Sequence, residues 1–160
     1  MSTLPYKIVA FYTQDTPYEN EIINLRASLD RLGIGDMLYT KGYPTRGEWA
    51  KNCAIKPEFI RHCLTAEECG GKDLLYVDAD ATFERIPEDI FQEGIFWYYK
   101  FKNKEALSGT LYIKNCPRML QFLQEWIDLQ NHHPTVFDQD IMGRIIKRHP
   151  GWNFKILPPQ

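Results

Sequence analysis

The sequence has no run approaching the roughly 20 consecutive apolar residues of a membrane span. Its opening, MSTLPYK, also lacks the apolar core of a secretion signal. The expectation is a cytosolic chain with no transmembrane segment. An excess of one charge is missing too: 19 Lys and Arg stand against 21 Asp and Glu, a net charge of -2, and the basic residues are scattered. Such a chain offers no basic field to a phosphate backbone, which argues against nucleic acid as a partner. Cys53, Cys63, Cys69 and Cys116 show no paired C-x2-C spacing, so zinc is disfavoured and reduced thiols, some of them buried, are expected. Internal repeats, low-complexity tracts and a dividing Pro/Gly linker are absent as well. That leaves one ordinary domain for 160 residues, large enough for a core without disulfides.

What is present alternates between strand and helix patterns. Tyr6 to Thr13 is rich in β-branched and aromatic residues and reads as a strand. Ile22, Ile23, Leu25, Leu29 and Leu32 then recur at helical spacing over Tyr18 to Leu32, with Gly33 placed to end the helix. Asp36 to Thr40 reads as a second strand, completing a β-α-β unit whose crossover is expected to be right-handed. Gly42 to Asn52 is a turn-rich segment. A helix follows from about Lys56 or Pro57, because Pro is accommodated only near a first turn. Beyond the central stretch, Pro87 to Phe91 reads as a short helical turn and Ile95 to Phe101 as a strand. Ser108-Gly109-Thr110 leads into a strand over Leu111 to Lys114, Met119 to Leu129 is an amphipathic helix, and Asp138 opens a helix through Ile146. Trp152 to Leu157 adds a last strand.

The central stretch is Lys72 to Glu84, KDLLYVDADATFE. Its apolar run has no polar alternation and reads as a strand buried on both faces of a parallel sheet. In such sheets ligands collect beyond the carboxyl ends of strands, where Asp78 and Asp80 stand. Side chains two apart on extended backbone project the same way. Two converging hard oxygen ligands suit Mg2+ or Mn2+, with water and substrate phosphate completing the shell. The plainer alternative is an Asp that closes a turn, yet two acids this close repel unless a cation or donor lies between them. The pentapeptide Asp78-Ala79-Asp80-Ala81-Thr82 also fits the D-x-D-x-T of haloacid-dehalogenase-type phosphatases, with Asp78 as nucleophile. In that pattern the nucleophile strand opens the domain, whereas here a β-α-β unit precedes it.

Five pieces occur in a fixed order: the strand ending Phe11-Tyr12-Thr13, the Lys56-Pro57 helix, LLYVDAD, Ser108-Gly109-Thr110 with LYIKN, and Phe137-Asp138-Gln139-Asp140. With them the chain resembles the GT-A nucleotide-diphospho-sugar glycosyltransferases, most nearly the glycogenin/galactosyltransferase-like group, over nearly its whole length. The resemblance implies a Rossmann-like α/β domain with a central, mostly parallel sheet and helices on both faces. It implies transfer of a sugar from a nucleotide-diphosphate donor, UDP-sugar favoured, to a carbohydrate or other hydroxyl acceptor. Mn2+ or Mg2+ on Asp78 and Asp80 would assist departure of the diphosphate.

By the same resemblance Tyr12 would stack on the base and Thr13 bond the ribose, with Asn52 and Trp49 lining the pocket. Lys56 would add a positive charge at the diphosphate, the alternative being a solvated lysine at a helix start. Gly109 would let the backbone approach the sugar, Ser108 or Thr110 would offer hydroxyls, and Asp138 or Gln139 would face the reacting sugar. The plain readings of these pieces are a turn before a strand and an N-cap with first-turn acids. The D-Q-D likeness favours retention of anomeric configuration. An inverting enzyme would use Asp138 or Asp140 as base.

One departure stands out. No H-x-x-G-x-x-K-P-like segment follows Leu157 to supply a third metal ligand, and His132, His133 and His149 are expected in exposed loops. The chain is also short for the group, as a minimal form or a fragment would be. Three readings thus enter the structure: a metal-dependent glycosyltransferase, a phosphatase, and a nucleotide-sugar-binding domain without turnover.

Overall fold

The computed structural model describes residues 4–87, 93–102 and 105–158. In chain order the elements are β1 (Tyr6–Thr13), α1 (Tyr18–Arg31), β2 (Leu38–Tyr43), α2 (Trp49–Cys53), α3 (Ile55–Thr65), β3 (Asp73–Val77), β4 (Phe96–Phe101), β5 (Glu105–Ile113), α4 (Pro117–His132), α5 (Asp138–Arg148) and β6 (Phe154–Ile156). The strands form one six-stranded sheet in the order β2-β1-β3-β5-β4-β6. β1 pairs parallel with β2 and β3, β6 pairs parallel with β4, and β5 alone runs against both its neighbours.

Period-two alternation sorts the strand side chains between two layers. Ile8, Ala10, Leu75, Val77 and Tyr112 face Leu25 and Leu29 of α1. Val9, Leu74, Tyr76, Leu111 and Ile113 face the other way, onto Phe59 and Ile60 of α3, Phe122 and Trp126 of α4 and Ile141 of α5. Helices on both faces explain why β3 carries no polar alternation.

Several boundaries differ from expectation. Gly35–Met37 is a 3-10 turn rather than strand, and β2 continues through Lys41 and Gly42 because these residues pair with Phe11 and Tyr12 of β1. β2 is an edge strand, so polar side chains reach solvent from it. The strand expected to begin at Leu111 begins at Glu105, so Ser108-Gly109-Thr110 lies inside β5 and is no preceding turn. The last strand is shorter than expected, Phe154–Ile156. The helical turn expected at Pro87 to Phe91 falls, beyond Pro87, outside the described residues.

The segment after the carboxylate pair is tethered to α1. Buried Ser28 donates to the Leu25 carbonyl (2.7 Å) and accepts the Phe83 amide (3.0 Å). Ser28→Ala leaves that amide unmatched and is expected to destabilise the chain by about 1–3 kcal/mol in urea unfolding. An unchanged midpoint would show that water replaces the hydroxyl.

Candidate functional site

The site lies where β3 ends. Extended backbone stops at Val77, and Asp78 to Ala81 form a turn closed by the Ala81 amide on the Asp78 carbonyl (3.0 Å). Asp78 and Asp80 therefore do not project in parallel from a strand, as the i, i+2 argument required. They rim the same two cavities from a turn. Asp78 is half-buried and accepts a hydrogen bond from the Tyr76 hydroxyl on Oδ1 (2.7 Å), while Asp80 is exposed.

The antiparallel sense of β5 brings its early residues to this carboxyl edge. Pairing with β4 passes from Tyr98↔Leu111 directly to Tyr99↔Leu107, so Ser108, Gly109 and Thr110 bulge away from β4. Thr110 pairs with Val77, and the Gly109 carbonyl accepts the Asp78 amide (3.0 Å). A Cβ on Gly109 would stand 3.1 Å from Asp78 Oδ2, so the glycine admits the carboxylate against the bulge.

Behind the turn is a buried polar cluster. Lys56, in the first turn of α3, is only 4% exposed, and Asp138, in the first turn of α5, only 5%. The Lys56 ammonium lies 3.2 Å from Asp78 Oδ1 and 2.9 Å from Asp138 Oδ2. It also donates to the Ser108 carbonyl (3.1 Å) and hydroxyl (3.0 Å), and that hydroxyl in turn donates to Asp138 Oδ2 (2.8 Å). Burial alone would lower the Lys56 pKa, but the carboxylates of Asp78 and Asp138 outweigh it and hold the pKa above its ordinary value. The same lysine lies over the Tyr76 ring, 5.3 Å from its centroid. Burial and then the Asp78 carboxylate push the Tyr76 phenol well above its ordinary range, which keeps it a neutral donor.

Two plain readings of the sequence fail here. Lys56 is no solvated lysine, because Asp78, Ser108 and Asp138 close around its ammonium. Asp138 does not cap α5: Phe137 occupies the cap position with extended backbone, and the Asp138 side chain turns inward to Lys56 and Ser108. Gln139 is likewise engaged, accepting the Ser108 amide (3.2 Å) and donating to Glu105 (2.8 Å).

The larger wall of the site is aromatic. A cavity is lined by Phe11, Tyr12, Tyr18, Trp49 and Tyr76 together with Asn52, Cys53, Lys56, Asp78 and Asp80. Thr13 lines it too, but its hydroxyl is shared with Thr16 (2.9 Å). The Asn52 side chain holds the neighbouring loop, accepting the Arg46 amide (2.6 Å) and donating to the Thr45 hydroxyl (3.1 Å). Trp49, 60% exposed, covers no core; it meets Phe137 edge-on at 5.0 Å. A second, more open groove on the far side of the carboxylates is lined by Tyr99, Lys100, Leu107, Gly109 and Thr110. The structure thus gathers every expected site residue around β3 except that Ser108, Asp138 and Gln139 stand behind its rim.

Phe11, Tyr18, Cys53, Tyr76, Tyr99 and Lys100 were not anticipated. Tyr76 had a signal, since residues two apart on a strand share a face and Asp78 follows it by two. Cys53 had none. Burial, then the Asp138 carboxylate, raises its thiol pKa to about 11, so it stays protonated at neutral pH.

Tyr12 owes its place to its neighbour in the sheet. A Cβ on Gly42 would come within 2.8 Å of the Tyr12 ring. Gly42→Ala is therefore expected to swing that ring off the cavity wall and, for a nucleoside stacked there as proposed below, to weaken binding about tenfold, as the loss of one stacking contact of roughly 1–3 kcal/mol would. Calorimetry checks this, and unaltered affinity would remove Tyr12 from the binding surface.

Among the described residues no group of three His, Cys, Asp or Glu side chains is arranged to hold a metal ion. His132 and His133 are exposed as expected, whereas His149 is partly buried, stacked on Trp152 (3.8 Å between centroids) and bonded to Glu125 (2.7 Å). Asp78 and Asp80 nevertheless suit a hard cation. No hydrogen bond from the described residues reaches Asp78 Oδ2, and Asp80 is open to solvent beside it. A Mg2+ or Mn2+ ion there would complete its shell with water and phosphate oxygens.

No protein-family model matches this chain, and no curated protein matches it in sequence. Its fold, however, has clear counterparts among solved structures. A glycosyltransferase involved in glycosylation of the major capsid of PBCV-1 superposes with a TM-score of 0.70 at 14% identity, covering 96% of this chain and 82% of that one. The glycosyltransferase GlyE of Streptococcus pneumoniae TIGR4 superposes with a TM-score of 0.61 at 17% identity, covering 96% of this chain and 46% of GlyE. The apo form of GlyE gives the same TM-score. This chain thus spans under half of GlyE. A mixed α/β domain with a central sheet flanked by helices, of the kind seen in these glycosyltransferases, is the architecture of this protein.

Proposed function

We propose that this chain transfers a sugar from a nucleotide-diphosphate donor, UDP-sugar favoured, to a carbohydrate or other hydroxyl acceptor, as in the glycogenin/galactosyltransferase-like group. One observation carries the reading: Asp78 and Asp80 form the shared wall of two cavities, one aromatic and one open, at the carboxyl end of β3. The aromatic cavity suits a nucleoside, which Tyr12, Tyr18 or Trp49 would stack. The open groove past Gly109 and Thr110 suits the sugar and its acceptor. Mn2+ or Mg2+ held by the two carboxylates would supply Lewis-acid stabilisation of the departing diphosphate.

Retention of configuration is the stereochemical reading that goes with this site. Asp138 is buried and bonded by Lys56 and Ser108, so its carboxylate is poorly placed to take an acceptor proton. The phosphatase reading is not favoured, because the strand bearing Asp78 is third in the chain and the similar structures are glycosyltransferases. Among the described residues no helix is long and apolar enough to cross a membrane. All four cysteines are free, which supports a reducing, cytosolic setting for the activity.

A thermal-shift screen of nucleoside diphosphates with and without Mn2+ tests the proposal. Ligand at about 100 times its Kd adds roughly 2.7 kcal/mol of stability. The expected result is a rise in Tm with UDP that grows when Mn2+ is present. No shift with any nucleoside diphosphate, with metal or without, would sink the proposal. Binding without hydrolysis or transfer of any UDP-sugar would point to the turnover-free domain. Mg2+-dependent hydrolysis of a phosphomonoester, lost in Asp78→Asn, would restore the phosphatase.

A further inference from the structure

We infer that Lys56 is a positioning residue and no ligand of the donor: its buried ammonium ties the carboxylate of Asp78 to that of Asp138 and so sets the spacing between the cation side and the sugar side of the site. The inference rests on the proposed function and changes the part the sequence suggested for this lysine, a positive charge at the diphosphate.

The protons of the Lys56 ammonium are all taken. An ammonium group has three to give. Lys56 has four acceptors around it, all within 3.2 Å: Asp78 Oδ1, Asp138 Oδ2, and the carbonyl and hydroxyl oxygens of Ser108. None is left over for a phosphate oxygen. Exposure separates Asp78 from the other two charges. The Lys56 side chain is 6% exposed and that of Asp138 7%, against 42% for Asp78. A phosphate that drew the ammonium outward would strand the Asp138 carboxylate, which has almost no water to turn to. Keeping the lysine where it is and meeting the diphosphate at the open edge of Asp78 avoids that penalty.

The nitrogen also joins separate parts of the fold. Lys56 belongs to α3, Asp78 to the turn after β3, Ser108 to the bulge of β5 and Asp138 to α5. One atom thus touches four elements at this rim. Two neighbouring contacts extend the hold, since Tyr76 secures Asp78 Oδ1 and Gln139 secures the Ser108 amide. Asp78 keeps Oδ2 toward Gly109 and the cavities as a result. Lys56 therefore acts on the donor through Asp78 and the bulge.

Calorimetric titration of UDP in EDTA and in Mn2+ separates positioning from contact, with the unmutated chain, Lys56→Met and the double variant Lys56→Met/Asp138→Asn compared. The double variant removes the buried acid's charge together with the lysine's, and so keeps the comparison available if the single variant does not fold. Loss of an outer-shell partner of a metal ligand typically lowers metal affinity about 10- to 100-fold. The expected result is a fall of that size in the Mn2+-dependent gain in UDP affinity, with affinity in EDTA unchanged. A drop of about tenfold or more in EDTA, the size of a lost hydrogen bond to a charged group, would place Lys56 on the diphosphate and overturn the inference. An undiminished Mn2+ gain in the folded variants would overturn it too. Failure of the unmutated chain to bind UDP in either buffer would instead strike the proposed function, and only that arm reveals it.

Discussion

Asp78→Asn is expected to abolish the Mn2+-dependent part of UDP binding and to lower donor turnover about 10²- to 10³-fold, a loss of roughly 2.7–4 kcal/mol of transition-state stabilisation. The amide matches the carboxylate in shape, and its oxygen still accepts from the Tyr76 hydroxyl. The turn and the sheet edge should therefore survive. What disappears is the negative charge facing the cavities, together with one of the two charges that hold Lys56. UDP release from a UDP-sugar, followed with and without Mn2+, measures the effect. An Asn variant with the turnover and metal response of the unmutated chain would remove Asp78 from the chemistry. Far-UV circular dichroism must stay unchanged for the result to count against function rather than fold.

Lys56→Met is expected to destabilise the chain by about 3–5 kcal/mol, the usual penalty for stranding one partner of a buried ion pair. At this chain length each kcal/mol is worth roughly 2–4 °C, so the Tm should fall by about 6–20 °C. The double variant Lys56→Met/Asp138→Asn should recover most of that loss, because it removes the orphaned charge along with its cause. Urea unfolding of the four corners of this cycle gives the coupling. A single variant as stable as the unmutated chain would mean that the acids bring in water or protonate at little cost. The pH dependence follows from sign. The folded pKa of Lys56 lies above its ordinary value of 10.5, so the ammonium's contribution is complete below that value and is lost as pH climbs through the higher folded pKa. Near neutral pH, stability should therefore not vary with pH through this group.

The fold was legible in the sequence wherever burial writes a continuous signal. Leu74 to Val77 could be read as a two-faced strand because helices cover both sides of it. The apolar spacing of α1 and α4 reports the single face each presents to the sheet. The first half of β5 was not legible. Glu105, Ser108, Gly109 and Thr110 carry no apolar pattern, and what makes them strand is pairing with β4 and β3 across the chain. The reversed direction of β5 was hidden for the same reason, since direction belongs to the partner and not to the segment.

The site divides along similar lines. Asp78, Asp80 and Gly109 announced themselves by type and spacing, although the turn at Asp78 defeats the argument from extended backbone. The fate of Lys56 could not be read. A lysine at the start of a helix is ordinarily solvated, and only the arrival of Ser108 from β5 and Asp138 from α5 reverses that. Asp138 misled for a related reason: an acid before an apolar helix satisfies the capping pattern whether its carboxylate turns to its own backbone or to a buried cation.

The Lys56 cluster also bears on the order in which this chain folds. Lys56 and Ser108 lie 52 residues apart, and Ser108 and Asp138 a further 30. Contacts over such loops form late, because the loops must close before the contacts reward them. The β1-α1-β2 unit and β3 use earlier sequence and can associate first, as one hydrophobic layer against α1. Lys56 then waits, with Asp78 as its one charged partner, until the bulge and α5 arrive. The buried cluster is complete only after the final docking step, and a nascent chain that has not yet delivered residue 138 holds much of the sheet but not this cluster.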